Sequence, residues 1–194
     1  MAAVTRRTGA APADQRSDAE LIGLAAAGDG AAFEVIYRRH AERVFGLLTR
    51  LLGPDIERED LLQETFVRLH AALPRFRGDC TLSTLVYRIA TRVVIDHWRR
   101  RPARMAPELD FDGEIAPGLS PAEHADRRES IARAVMLLNK LKPKLRVAFV
   151  LREVMDLPHD EVARIVEAHP AAARMRVALA KRALAALARK EDRR

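Results

Sequence analysis

Four prolines, Pro102, Pro107, Pro117 and Pro121, fall within residues 102–121 together with Gly113 and Gly118 and the acids Glu108, Asp110, Asp112 and Glu114. Proline fixes φ and donates no amide hydrogen, so neither a helix nor a strand runs through such spacing, and the acids keep the stretch solvated. The 194-residue chain is therefore expected to split into two small domains on either side of an extended linker. Both halves are dominated by Ala, Leu, Arg and Glu, and neither shows sustained period-two alternation of Val, Ile, Thr and Tyr. Strands are not expected, and the fold class predicted is all-α, two small helical domains.

Residues 1–16 mix Ala, Pro, Thr and Arg without periodicity and read as a disordered tail. Ser17 stands three residues before Glu20, the spacing of a capping box, and opens a short helix that the Gly28-Asp29-Gly30 break ends. A second helix is predicted from about Ala31 to Leu52, stopped by Gly53-Pro54, a third over 57–73, and a fourth from about Ser83 to Arg100. The domains are thus placed at 17–101 and 122–194, with the linker at 102–121. Helices in the second domain are predicted at about 122–140, 143–155, 159–166 and 170–190.

The third helix constrains the partners. At roughly 100° per residue, Leu62, Phe66, Leu69 and Leu73 fall on one side, while Asp60, Glu64, Val67 and Ala71 fall opposite. With Gln63, Asp60 and Glu64 form a compact acidic face holding an apolar residue, on a chain of net charge +7. Carboxylates repel phosphates, so this face points to a basic protein partner. The sequence pI near 10.3 points separately to a polyanion, with nucleic acid ahead of a membrane surface. Two partners are expected.

The last two predicted helices, joined by a tight turn near Glu167 to His169, follow the helix–turn–helix pattern, in which the second helix enters a major groove. On it Ala180, Ala183, Leu184 and Leu187 face inward and Arg174, Ala178 and Lys181 outward. Arg176 falls near the core side. Cys80 is the only cysteine, which excludes an internal disulfide and fits a reducing cytoplasm. No apolar run approaches the roughly 20 residues of a membrane span, and no signal-peptide core follows the N-terminal charges. A soluble cytoplasmic protein with no membrane contact of its own is expected. The six histidines lack metal-site spacing, and neither a nucleophile–base arrangement nor a phosphate-cradling glycine loop is present. Neither catalysis nor a metal or other cofactor is expected.

The segments EDLLQETFVRL at 59–69, FRGDCTLSTLVYRIA at 76–90 and LPHDEVARIV at 157–166, in that order around a linker, resemble a bacterial RNA polymerase sigma factor of the extracytoplasmic-function (ECF) group of the sigma-70 family. The resemblance covers about residues 18–190. It implies a region-2 domain, a linker and a region-4 domain, binding to core RNA polymerase and promoter DNA, help in promoter melting, and an anti-sigma factor as a usual further partner. Asp60, Gln63 and Glu64 match the positions that contact the basic clamp helices of the largest polymerase subunit. The loop and helix that follow match the part that captures an unstacked base of the minus-10 element. This implies base and phosphate contacts from Arg77, Gly78, Asp79, Thr81, Ser83, Thr84, Arg88 and Arg92, with Arg99 and Arg100 tracking phosphate. For the minus-35 element it implies Ala172, Ala173, Arg174, Arg176 and Lys181.

The chain departs from the family pattern at several of these positions. Leu85 stands where Trp is common, Arg92 where Asn is frequent, Ala172 for Thr and Ala173 for Val, with Pro170 one position late. A helix-capping role explains Ser83 or Thr84 as well as a base contact does. Two readings compete with the sigma factor: a stand-alone helix–turn–helix regulator, which has no need of the acidic helix, and a metal-dependent DNA enzyme using Asp60 and Glu64, which lacks further ligands nearby.

Overall fold

The structure is a computed structural model that describes residues 15–53, 57–100 and 121–191. Among these residues every regular element is helical, and the α-helices run in the order α1 (Asp18–Ala26), α2 (Gly30–Leu52), α3 (Arg58–Ala72), α4 (Leu82–Arg100), α5 (Pro121–Asn139), α6 (Pro143–Phe149), α7 (His159–Ile165) and α8 (Pro170–Glu191). The expected tail at 1–16 lies outside the described residues except for Gln15 and Arg16, and so does the expected linker up to Pro121.

Local chemistry sets most helix ends. Ser17 and Glu20 form the capping box, with the Ser17 N–H donating to Glu20 Oε2 at 2.7 Å and the Glu20 N–H to Ser17 Oγ at 3.3 Å. The Asp29 carboxylate accepts from the N–H groups of Ala31 and Ala32 at 2.9 and 3.2 Å and starts α2. Gly53, at φ +73°, ends it, and a Cβ there would lie 3.0 Å from Val135 Cγ1 of α5. Thr81 starts α4, its hydroxyl accepting from the Thr84 N–H at 3.1 Å.

Two elements differ from the sequence expectation. The helix expected over 143–155 is α6 followed by a wide π turn, Val150–Val154, closed by the Met155 N–H on the Val150 carbonyl at 3.0 Å. The inward stripe of α3 is also wider than the Leu62 stripe suggests. Leu61, Thr65, Phe66 and Leu69 are buried and Leu62 only half-buried, because α3 packs against both α2 and α4. Thr65 enters this core by donating its hydroxyl to the Leu61 carbonyl at 2.7 Å.

α1–α4 and α5–α8 build two helical units whose apolar residues form one continuous buried cluster, running from Leu21 to Ala180. α4 joins them, with contacts to α6 and α7. At its C-terminal end the Trp98 ring lies under the Arg146 guanidinium of α6, 4.7 Å from the ring centroid.

Candidate functional site

Three surfaces carry the expected functional residues. On α3, Asp60 and Gln63 are exposed and Val67 stands 69% exposed beside them, so an acidic face with an apolar centre does look outward. Glu64 is held differently. It is half-buried, accepts from Arg68 at 2.6 Å and lies 3.8 Å from Arg100, while Arg68 also donates to Asp96 on α4 at 3.1 Å. Burial pulls the Arg68 pKa down, but the bonds to Asp96 and Glu64 outweigh it and hold it above its ordinary value. Glu64 is thus engaged by cations of the chain itself, leaving Asp60 and Gln63 as the exposed polar groups of this face.

The second surface is the loop before α4 with the outer side of that helix. Gly78 sits at φ +75°, a left-handed turn that leaves Arg77 and Asp79 exposed on either side. Beside them runs an open groove of about 750 Å³, lined by Arg75, Phe76, Arg77, Asp79, Leu85 and Arg88. Arg75 and Phe76 are additions to the residues predicted here. Their neighbourhood with Arg77 was visible in the sequence, but not that the turn of 3-10 helix at Leu73–Arg75 swings Arg75 to this side. Leu85, buried, lines the groove where the family places Trp.

Thr84 corrects the expectation of a base contact. Its side chain is 1% exposed and shares a hydrogen bond with the Thr81 hydroxyl at 2.8 Å, so both hydroxyls serve the start of α4. Ser83 is half-buried. Arg88 and Arg92 lie on α4 against Glu167, in the turn between α7 and α8: Arg88 Nε is 3.7 Å from the Glu167 carboxylate and Arg92 is hydrogen-bonded to it. Arg99 and Arg100 are exposed, 3.6 Å from Asp96 and 3.8 Å from Glu64. Cys80 is a half-buried free thiol whose pKa burial raises.

The third surface is the pair α7 and α8. Glu167 at φ +47° makes the tight turn, and the Ala168 N–H closes it on the Ala163 carbonyl at 3.0 Å. His169 caps the start of α8, its Nδ1 accepting from the Ala171 N–H at 3.3 Å. Ala173 is a second correction: with Val177 and Ala180 it makes the buried face of α8, and at 0% exposure its methyl cannot meet a base. Ala172 and Arg174 are exposed and Arg176 half-buried. Lys181 is exposed but paired with Glu153 at 2.7 Å. Opposite the buried face stand Met175, 59% exposed, Leu179, 42% exposed, and Arg182. Met175 and Leu179 were missed because the inward face was centred on Ala180 to Leu187, a rotation away from the true one. Counting from Ala173, Val177 and Ala180 at the helical period would have found them.

Among the described residues no three His, Cys, Asp or Glu side chains gather as a metal site requires, and no helix is long and apolar enough to cross a membrane. A helix–turn–helix with a cation-rich second helix, a basic groove on a second unit and a separate acidic-apolar face define a DNA-binding protein that also docks on another protein. The family models for Sigma-70 region 2 and Sigma-70, region 4 match residues 36–104 and 131–184. The chain belongs to the sigma-70 family of RNA polymerase sigma factors, in its ECF group.

Two curated relatives span nearly the same length. The RNA polymerase sigma-H factor of Pseudomonas aeruginosa is 29% identical over 180 residues, covering 88% of this chain and 93% of the relative. The ECF RNA polymerase sigma-E factor of Escherichia coli is 28% identical over 180 residues, covering 88% and 94%. The fold is similar to that of CnrH solved with the cytosolic domain of CnrY, with a TM-score of 0.66 at 24% identity over 89% of this chain and 97% of that one. It is also similar to the sigma factor RpoE of Bartonella quintana, solved with the anti-sigma factor NepR, with a TM-score of 0.55 at 19% identity over 81% and 96%. As a member of this family the chain serves promoter-specific transcription initiation by RNA polymerase.

Proposed function

We propose that residues 17–101 act as the region-2 domain and 122–194 as the region-4 domain, with three surfaces dividing the work. The outer face of α3, through Asp60, Gln63 and Val67, docks on a basic helical surface of core polymerase, where opposite charge gives orientation and Val67 gives apolar contact. The groove beside Gly78, with Arg75, Arg77, Asp79, Arg88 and Arg92, receives the unpaired minus-10 strand, and Arg99 and Arg100 track its phosphates. The outer face of α8 enters the minus-35 major groove with Ala172, Arg174, Met175 and Leu179 toward base edges and Arg176 and Lys181 toward phosphate.

One observation carries this reading: a chain of net charge +7 turns carboxylate, amide and valine outward on α3 while gathering cations on α4 and α8. A simple DNA-binding regulator has no use for that segregation. The polymerase does the bond-making, the protein has no catalysis of its own, and it works in the cytoplasm. An anti-sigma factor is a further partner of the kind described for the Bartonella quintana protein.

The test is reconstitution. The purified chain mixed with core polymerase should co-elute as a holoenzyme and support run-off transcription from promoters found by sequencing transcript 5′ ends after overexpression. Specific duplex binding without polymerase association would replace this reading with the stand-alone regulator.

A further inference from the structure

α2 carries a cationic stripe that belongs to none of the three surfaces. At the helical period Arg39, Arg43, Gly46 and Arg50 fall along one line of the helix, away from Phe33 and Tyr37, which pack on Phe66 and His70 of α3. Arg39 is drawn inward, to the Asp18 carboxylate at 3.0 Å and the Arg16 carbonyl at 2.7 Å. Arg43 and Arg50 are exposed, and neither is hydrogen-bonded or ion-paired to another described residue, the adjacent Glu42 included. Both lie near enough to α4 to act on Tyr87. Burial raises the pKa of its hydroxyl, Arg43 and Arg50 oppose the rise, and Glu161 of α7 adds to it. The stripe thus meets α4 one residue before Arg88, which lines the groove beside Gly78.

Gly46 supplies a separate observation. Glycine inside a helix is less stable than alanine, yet Gly46 stands well within the 23-residue α2. A Cβ there would come within 2.8 Å of Arg50 Nη1. The Arg50 side chain therefore lies back along the helix, over the bare Cα and towards Arg43, and only glycine leaves it that room. Between the two guanidinium groups no side chain stands in the way of an approaching strand.

We infer that this stripe is a phosphate-binding track for duplex DNA entering the minus-10 groove. The inference rests on the reading that the groove beside Gly78 meets promoter DNA. Seven residues of helix advance about 10 Å, and phosphates of one duplex strand recur about every 3.4 Å along the axis. Arg43 and Arg50 therefore fall in register with phosphates three steps apart, and a guanidinium forks onto a phosphate through two parallel hydrogen bonds. An acidic protein surface would match the charge but not this repeat.

The experiment measures holoenzyme affinity over a salt series, on a promoter duplex found by sequencing transcript 5′ ends. Replacing both arginines, Arg43→Gln with Arg50→Gln, should lower the slope of log affinity against log salt by about two units, one for each phosphate contact. Gly46→Ala keeps every charge and displaces only the Arg50 head, so it should lower the slope by about one unit without lowering the melting temperature. Arg38→Gln, on another side of α2 and ion-paired with Glu34, is the control for net charge and should leave the slope unchanged. A slope equal to that of Arg38→Gln in either test variant overturns the inference. Loss of co-elution with core polymerase in the double variant also overturns it, and assigns the stripe to an acidic protein surface. Failure of the wild-type chain to assemble with polymerase or to bind any such duplex would instead overturn the functional reading beneath it.

Discussion

Arg146 is the most exacting test of how the two units are joined. It is 4% exposed, and its Nη1 donates to the side-chain amide oxygen of Asn139, whereas Nε and Nη2 are buried with no hydrogen-bond partner. Burial pulls its pKa down to about 10, well below the usual guanidinium range. A displacement of that size corresponds to roughly 3 kcal/mol held against the charged form. Against it stand the stack on Trp98, worth about 1–2 kcal/mol in a desolvated site, and the Asn139 bond, worth about 1 kcal/mol. The two sides nearly cancel, with a small excess against the charge. Arg146→Met keeps the length and apolar contact of the side chain and removes the ion, so it should be neutral to stabilising by about 1 kcal/mol, as when other buried ions are replaced by hydrophobic residues.

Linkage gives the sign of the pH effect. The unfolded chain holds the Arg146 proton to higher pH than the folded one, so the penalty is present in full below pH 10 and is relieved as pH rises above it. Urea denaturation of both proteins at pH 8 and near pH 10.5 checks this, the wild-type deficit narrowing at the higher pH. Destabilisation of Arg146→Met by more than about 2 kcal/mol at pH 8 would refute the reasoning, because the ring and the amide would then outweigh desolvation.

His40 is buried on α2 with Nε2 unpartnered, and burial, against a raising influence from Asp18 and with Arg43 and Arg39 adding to it, holds its pKa below the ordinary 6.5. The unfolded chain therefore takes up a proton first, and stability should fall as pH drops below about 6.5, whereas a His40→Leu variant should lose that part of the slope in melting curves from pH 7.5 to 5. Asp60→Arg should abolish co-elution with core polymerase while leaving the melting temperature within the range of a surface change, whereas Glu64→Arg should also cost about 0.5–1 kcal/mol by setting a third cation beside Arg68 and Arg100. Unchanged polymerase affinity of Asp60→Arg would remove α3 from the interface. Met175→Ala should erase a preference for thymine over uracil in the minus-35 duplex, a difference of roughly fourfold for one methyl contact, measured by holoenzyme binding to matched duplexes. Arg174→Ala should relax minus-35 sequence choice at a cost of about 1–3 kcal/mol, and uniform weakening across all sequences would show a phosphate contact instead.

What the sequence determined by itself was whatever depends on neighbours three or four residues away. The Ser17–Glu20 capping box, the stop at Gly53, the turn before α8 and the cation-rich outer side of that helix are local, because caps, φ preferences and helical period act within a turn or two of chain. The motif order around the proline-rich stretch was enough to show the family. Tertiary structure decided which of the chemically suitable residues are free to act. Glu64 meets Arg100 only because the end of α4 lies across α3, and Thr84 is buried only because that face of α4 packs into the core. Ala173 faces the core because α6 and α7 pack on that side of α8. Glu167 reaches Arg92 across 75 positions of sequence, and Arg146 finds Trp98 across the same seam. Such pairings carry no local pattern: they follow from how two buried apolar faces meet, and charge partners are then chosen by proximity rather than by spacing.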